Sequence, residues 1–328
     1  MFGWNKQKVI ILLIIIFFFS IFLRWKFSYA YNQRSTHPAL TVEIANFFNL
    51  ASKNSGNKLT QREIDWIIQG SIDEDTVPRW INHYYDPIHN VGWSGKHYGE
   101  LSQSEGYERG AGLSPKEALS AIDWITNQSY QAAYALQTGN QTWQKSIKSF
   151  LEGDKKSAFI ALGHVLHVVE DATVPDHTRD DTHPGVEGDP GSPYEDFAKV
   201  ETDNGISDWA EKLYGRGERL LNYDSPRSVI LELARYSNGN FFSEDTINNE
   251  EFGSPDIGHS EKKHVDGATY LFSNVQSIYL AKYNASVGFI VESVGDFTIK
   301  DPVVLESYRD HLFPKAIIGG ASVIKLFF

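Results

Sequence analysis

Residues 161–183 read ALGHVLHVVEDATVPDHTRDDTH, placing four histidines and five acidic side chains in one stretch. Its first half is otherwise apolar enough to be buried. A core tolerates such a run only if something satisfies the imidazoles and carboxylates, because an unpaired buried charge costs several kcal/mol or more. Periodicity predicts a central helix over Lys155–Asp171, with Phe159, Leu162, Leu166 and Val169 on a broad apolar face. On that helix His167 and Asp171 are four residues apart and project from one face, where both can grip a single ion. Pro175 ends the helix and His177 follows it.

The rest of the chain reads as mainly helical. Thr60-Gln61-Arg62-Glu63 and Ser114-Pro115-Lys116-Glu117 are capping boxes, each opening a run with apolar residues at helical spacing. Gly70 is expected to end the first of these helices. Val42, Ala45, Phe48 and Leu50 suggest a helix after His37, and later helices are expected near Ser207, Ser225, Asp266 and Asp301. Asp180–Ser192 and Ser237–Ser260 are rich in turn formers and read as loops, while Val287–Ile299 alternates like a short hairpin. No internal repeat or long linker divides the 328 residues, so one all-α, multi-helical domain over residues 31–328 is expected.

Residues 1–30 stand apart. Lys6 and Lys8 precede the apolar run Val9–Leu23, and Ser28-Tyr29-Ala30 offers small residues where a signal peptidase cuts. The segment reads as a secretory signal cleaved before Tyr31, giving a secreted or periplasmic protein. The alternative is an uncleaved membrane anchor through residues 9–23, short for a bilayer span. Cleavage would remove four of 30 basic residues and none of 42 acidic ones, taking the net charge from −12 to −16. Such a surface does not attract polyanions unaided, which makes nucleic acid the less favoured substrate. The chain has no cysteine, so an exported form has no disulfide staples and depends on a large core or bound metal.

Two further clusters carry metal-donor residue types. In GSIDEDTVPRWINHYYDP, Asp73, Asp75 and His83 lie in a turn-rich segment after a helix, and in STHPALT His37 stands at a helix start. Singly, each also reads as a cap or a solvated loop residue. Together they supply the nitrogen and oxygen donors that zinc prefers, without thiolate.

The order THPALT, GSIDED, INHYYDP, ALGHVLHVVEDATVPDH, PYEDF resembles the zinc-dependent phospholipase C family, related to the single-strand-specific zinc nucleases, from about Tyr31 to Phe197. The C-terminal AIIGGASVIKLFF looks like that family's last helix. The most specific element is Leu-Gly-x-x-Leu-His-x3-Asp-x3-Pro-x-His, matched by Leu162, Gly163, Leu166, His167, Asp171, Pro175 and His177. The resemblance implies up to three zinc ions in the cleft of an all-helical domain. Asp75, His83, His167 and Asp171 would hold one. His37 would hold a second together with the α-amino group and carbonyl of Tyr31, sharing Asp171. His177 and Glu195 would hold the third. The family completes that third site with a histidine four residues before the glutamate, but position 191 is Gly, and His183 is the nearest replacement.

The implied activity is that of an exported zinc-dependent phosphodiesterase in which a zinc-activated water attacks phosphorus and Asp75 doubles as ligand and general base. The expected substrate is a phospholipid or another small phosphodiester, with peripheral membrane contact possible and no protein partner implied. Trp80 matches one aromatic of the choline pocket in some relatives, but Thr76 follows Asp75 where they have Tyr, so choline selectivity is not implied. The nuclease branch's Gly-Gly-Asn segment and disulfides are missing. Alternatives are a single-strand nuclease and a non-catalytic envelope protein with structural zinc. Glu170, Asp176, Asp180 and Asp181 read as partners of ligands or as solvated residues, with His164 on a different helix face from His167. The run Leu312–Phe328 reads as a core helix interrupted by Lys315 and Lys325, not as a membrane-binding one.

Overall fold

The computed structural model describes residues 35–53, 56–76, 78–94, 118–182, 191–203, 208–247, 255, 257–284 and 297–328. The first capping box opens as expected. Thr60 Oγ1 accepts from Glu63 N (3.4 Å) and Glu63 Oε2 accepts from Thr60 N (2.9 Å), starting a helix over Gln61–Glu74. The second box lies outside the described residues.

Helices dominate, with one small sheet among the described residues. In chain order they are α1 (Thr36–Ala51), α2 (Gln61–Glu74), α3 (Ala121–Trp124), α4 (Gln128–Tyr134), α5 (Trp143–Leu151) and α6 (Lys155–Asp171). There follow α7 (Pro175–Thr178), α8 (Pro193–Asp203), α9 (Trp209–Gly215), α10 (Pro226–Asn240) and α11 (Pro302–Phe327). Helix α6 has the bounds that periodicity predicts, capped by Asp154, and from Ala158 onward nearly every side of it is buried. It packs against α1, α2, α5, α10 and α11. Ser225 and Asp301 cap α10 and α11 as expected, and α9 begins at Trp209.

Gly70 does not end α2. The helix continues to Glu74, and the glycine is spent on contact: a Cβ there would lie 1.9 Å from the carbonyl oxygen of Ile160, and one on Gly163 would lie 2.0 Å from that of Ile67. The backbones of α2 and α6 therefore touch. That contact carries the end of α2 to the end of α6.

The expected helix at Asp266 is also absent. Asp266 and Gly267 take φ values of 50° and 81° and form the turn between two antiparallel strands, β1 (Ser260–Val265) and β2 (Ala268–Ser273). Asp-Gly between alternating residues favours this tight hairpin over a helix start. Strands β3 (Ile278–Tyr283) and β4 (Phe297–Thr298) complete the sheet in the order β1-β2-β3-β4. Of the hairpin expected over Val287–Ile299, only β4 falls among the described residues.

The sheet rests on α11, where Tyr308 Oη donates to the carbonyl of Leu280 (2.7 Å) and Tyr279 N donates to Ser307 Oγ (3.0 Å). Helix α11 is a core helix, with Leu312, Phe313, Ala316, Ile317, Ala321, Val323 and Ile324 fully buried. Among the described residues no helix is long and apolar enough to cross a membrane. The proposed signal or anchor, residues 1–30, lies outside them.

Candidate metal centre

Three helical termini deliver the site. The first turn of α1 carries His37, the last residue of α6 is Asp171, and Asp75 is the C-cap of α2. His83 follows a 3-10 turn over Arg79–Asn82 whose buried guanidinium, Arg79, is tied back to Glu74 (Nε to Oε2, 2.7 Å). All four side chains, two imidazoles and two carboxylates, are at most 1% exposed, although carboxylates are among the groups least often fully buried.

Asp171 lies at the centre. Nε2 of His167 is 3.2 Å from its Oδ2, Nδ1 of His83 is 2.9 Å from Oδ2, and Nε2 of His37 is 3.4 Å from Oδ1. Each imidazole thus turns one nitrogen toward the same carboxylate. The other nitrogen of each faces outward to an acceptor. Nδ1 of His167 donates to the carbonyl of Ser71 (2.7 Å), Nδ1 of His37 to Glu170 (2.5 Å), and Nε2 of His83 faces Glu74 (3.4 Å). The rings of His37 and His167 stack at 3.6 Å, and that of His83 meets His167 edge-on at 4.7 Å.

Two sets of donors come within 4.8 Å of one another: His37, His167 and Asp171, and Asp75, His83 and His167. Both oxygens of Asp75 are buried and accept no hydrogen bond among the described residues. The ring nitrogens of His83, Nε2 of His167 and the oxygens of Asp171 approach one another without forming hydrogen bonds. Buried polar atoms in this condition call for a bound ligand such as an ion. Nitrogen and oxygen donors without thiolate fit zinc or a similar dication. The group therefore can hold a metal, and the residues present fit one.

Electrostatics lead to the same conclusion. Burial raises every carboxylate here, but the imidazoles of His167, His177 and His37 hold Asp171 well below the ordinary range. Asp75 lacks enough compensation: burial pushes it up to about 8, with His83 and His37 opposing only in part. Burial lowers His37 and His83, yet Asp171 with Glu170 lifts the first to about 10, and Asp171 with Glu74 lifts the second to about 9. Burial and the neighbouring His37 charge depress His167 to about 3. The shifts of Asp75, His37 and His83 all run toward the protonated form. Metal binding replaces such protons with a dication.

Next to this group, Nε2 of His177 on α7 lies 3.4 Å from Oε1 of Glu195 in the first turn of α8. The ring of His177 stacks on Tyr84 at 4.4 Å and its carbonyl accepts from Tyr85 N (3.0 Å), tying it to the segment that carries His83. Gly191, with φ 71°, leads into α8. Tyr31 and His183 lie outside the described residues. Asp73 does not join the site, since it sits on the outer face of α2 accepting from Gln69 Nε2 (2.8 Å).

Sequence reasoning missed Glu74. This fully buried carboxylate meets Arg79 (2.6 Å), Trp124 Nε1 (2.6 Å), His164 Nδ1 and His83. Its signal was phase: Glu74 is seven residues beyond Ile67, on the inward face of α2, once the helix is allowed to pass Gly70. His164, on another face of α6 from His167 as expected, is buried and paired with Glu74. Glu170 and Asp180 are also buried, the latter accepting from Ser94 N (2.9 Å). The Ser71 carbonyl has no sequence signal.

No family model and no curated protein matches the chain. Among solved structures it is similar to the alpha toxin of Clostridium absonum, at 11% identity and a TM-score of 0.47 over 92% of this chain and 65% of that one. It is also similar to the Clostridium perfringens alpha-toxin from avian strain SWCP, at 12% identity and a TM-score of 0.45 over 92% and 64%. The chain thus spans about 65% of the length of the first of these toxins.

Proposed function

We propose that the chain is an exported zinc-dependent phosphodiesterase of the zinc phospholipase C kind, acting on a phospholipid or another small phosphodiester. The observation that supports it is the convergence of His37, His83 and His167 on Asp171, beside an Asp75 whose buried oxygens accept no hydrogen bond. In this reading Asp75, His83, His167 and Asp171 hold one ion. His37 and Asp171 hold a second with the α-amine and carbonyl of Tyr31, and His177 and Glu195 a third with His183. When bound, zinc polarises phosphoryl oxygens and acidifies water.

The chain's own residues do the rest. Asp171 orients three imidazoles, and Asp75 offers one oxygen as a donor and the other as acceptor for the proton of an attacking water. The net charge of −12 favours a small or lipid phosphodiester over a polyanionic strand. Peripheral contact with a lipid surface is part of the same reading.

Hydrolysis of bis(p-nitrophenyl) phosphate with and without chelator, followed by a panel of phospholipids and single-stranded nucleic acid, is the test. Chelator-sensitive turnover with preference for lipid is expected. Preference for nucleic acid would favour the nuclease reading. Zinc retention without any turnover would favour a structural-zinc envelope protein, a reading that draws support from Gly191 standing where a third-site histidine would be.

A further inference from the structure

We propose that Glu170 is a positioning residue for the metal centre, gripping Nδ1 of His37 so that Nε2 of that ring is fixed toward Asp171. The inference rests on reading these residues as metal donors, and adds one that supplies no donor atom itself. Oε2 of Glu170 stands 2.5 Å from His37 Nδ1, on the side of the ring opposite the 3.4 Å approach of Nε2 to Asp171. Its other oxygen, Oε1, accepts from Thr41 Oγ1 at 2.8 Å. His37 and Thr41 are four residues apart on α1, so one carboxylate clamps two successive turns of that helix.

All three side chains are fully buried. An imidazole on the first turn of a helix otherwise has two free torsions and a choice of tautomer. A carboxylate accepting from one nitrogen removes that freedom and strengthens the other nitrogen as a donor. Glu170 immediately precedes Asp171, so the backbone that places the central carboxylate also places the clamp.

A second Glu-Asp pair makes the contrast. Glu74 precedes Asp75 and faces His83, but at 3.4 Å, and Arg79, Trp124 and His164 share its oxygens. Its hold on His83 is diluted by those partners. Glu170 is therefore the carboxylate whose removal should act chiefly through one histidine.

The test is zinc titration of metal-stripped protein against a chromophoric chelator, with circular dichroism and melting temperature recorded beside it. Glu170→Ala is expected to weaken the ion held by His37 by about 10- to 100-fold. Glu170→Gln, whose amide oxygen still accepts from Nδ1, should weaken it less, and Thr41→Val less than Glu170→Ala. In a His37→Ala background, Glu170→Ala should add no further loss of zinc affinity. Glu170→Gln and Thr41→Val carry the comparison if Glu170→Ala does not fold. The inference is overturned if Glu170→Ala, or those two variants in its place, hold every ion as tightly as wild type. It is equally overturned if the losses are additive with His37→Ala, which would mark a packing role. A wild-type protein that holds no zinc overturns the metal-centre reading and this inference together. Zinc-binding wild type with unaffected variants overturns the inference alone.

Discussion

Gly70 and Gly163 face each other where α2 crosses α6, each so close to the opposite backbone that a methyl group would lie about 2 Å from a carbonyl oxygen. Both contacted atoms belong to backbone, not to a flexible side-chain end that can swing away. Gly163→Ala or Gly70→Ala should force the helices apart and destabilise the fold by roughly 1–3 kcal/mol or more, measured by urea unfolding. Because α2 carries Asp75 and α6 carries His167 and Asp171, zinc affinity should fall in the same variants. Unchanged stability would show that the crossing relaxes freely.

The two central carboxylates should differ in what their loss does. Asp171→Asn removes the group that three imidazoles approach, and zinc content should collapse. Asp75→Asn should retain part of the zinc while turnover falls further than occupancy, since it loses both a donor charge and the proton acceptor. Zinc analysis beside kcat separates the two effects. Equal turnover by wild type and Asp75→Asn would refute the role given to Asp75.

Stripping metal should lower the melting temperature by several degrees as well as abolish hydrolysis. Of the buried carboxylates Glu74, Asp75, Glu170 and Asp171, Glu74 pairs with the Arg79 guanidinium, while burial pushes Asp75 up to about 8 and Glu170 up to about 7, a cost that a bound cation would relieve. Differential scanning calorimetry with and without chelator gives the shift. No change after verified metal loss would mean that the core is indifferent to its ions.

Asp301 sets a separate acid limit. It caps α11 through Val303 N (3.0 Å), accepts from Tyr270 Oη (3.1 Å) and pairs with Lys282 (2.7 Å). Burial opposes its ionisation, but these partners, Lys282 first, hold its carboxyl below the usual range. With the folded value beneath the unfolded one, its contribution is present at neutral pH and disappears as pH falls below the ordinary aspartate value toward the folded one. Asp301→Ala should cost about 1 kcal/mol at pH 7 through the lost cap. Urea midpoints across pH 2 to 7 should show a shallower acid decline in Asp301→Asn than in wild type.

If Tyr31 is the mature N-terminus, its α-amine can act as a donor only when unblocked. A protein beginning at Tyr31 should hold its most weakly bound zinc and hydrolyse substrate. One extended by Gly-Ser, and one retaining residues 1–30, should do neither. Equal zinc content and activity in all three would exclude the amine and favour the membrane anchor through residues 9–23.

What could be read without tertiary structure was whatever depends on near neighbours in the chain. His167 and Asp171 are one helical turn apart, so their shared face follows from spacing alone, as do the bounds of α6 and the caps Thr60, Ser225 and Asp301. The Asp266-Gly267 turn was equally local, and the helix expected near Asp266 left its Asp-Gly hairpin signal unused. Gly70 was misread because local rules treat glycine as a helix end, whereas its missing side chain serves a contact with Ile160, 90 positions along the chain. The pairing of His37 with Glu170, 133 residues apart, and of Glu74 with His164, 90 apart, depends on how α1, α2 and α6 pack. Spacing can place a donor on a face, but only packing decides what that face meets, because burial and orientation are set by contacts between distant segments.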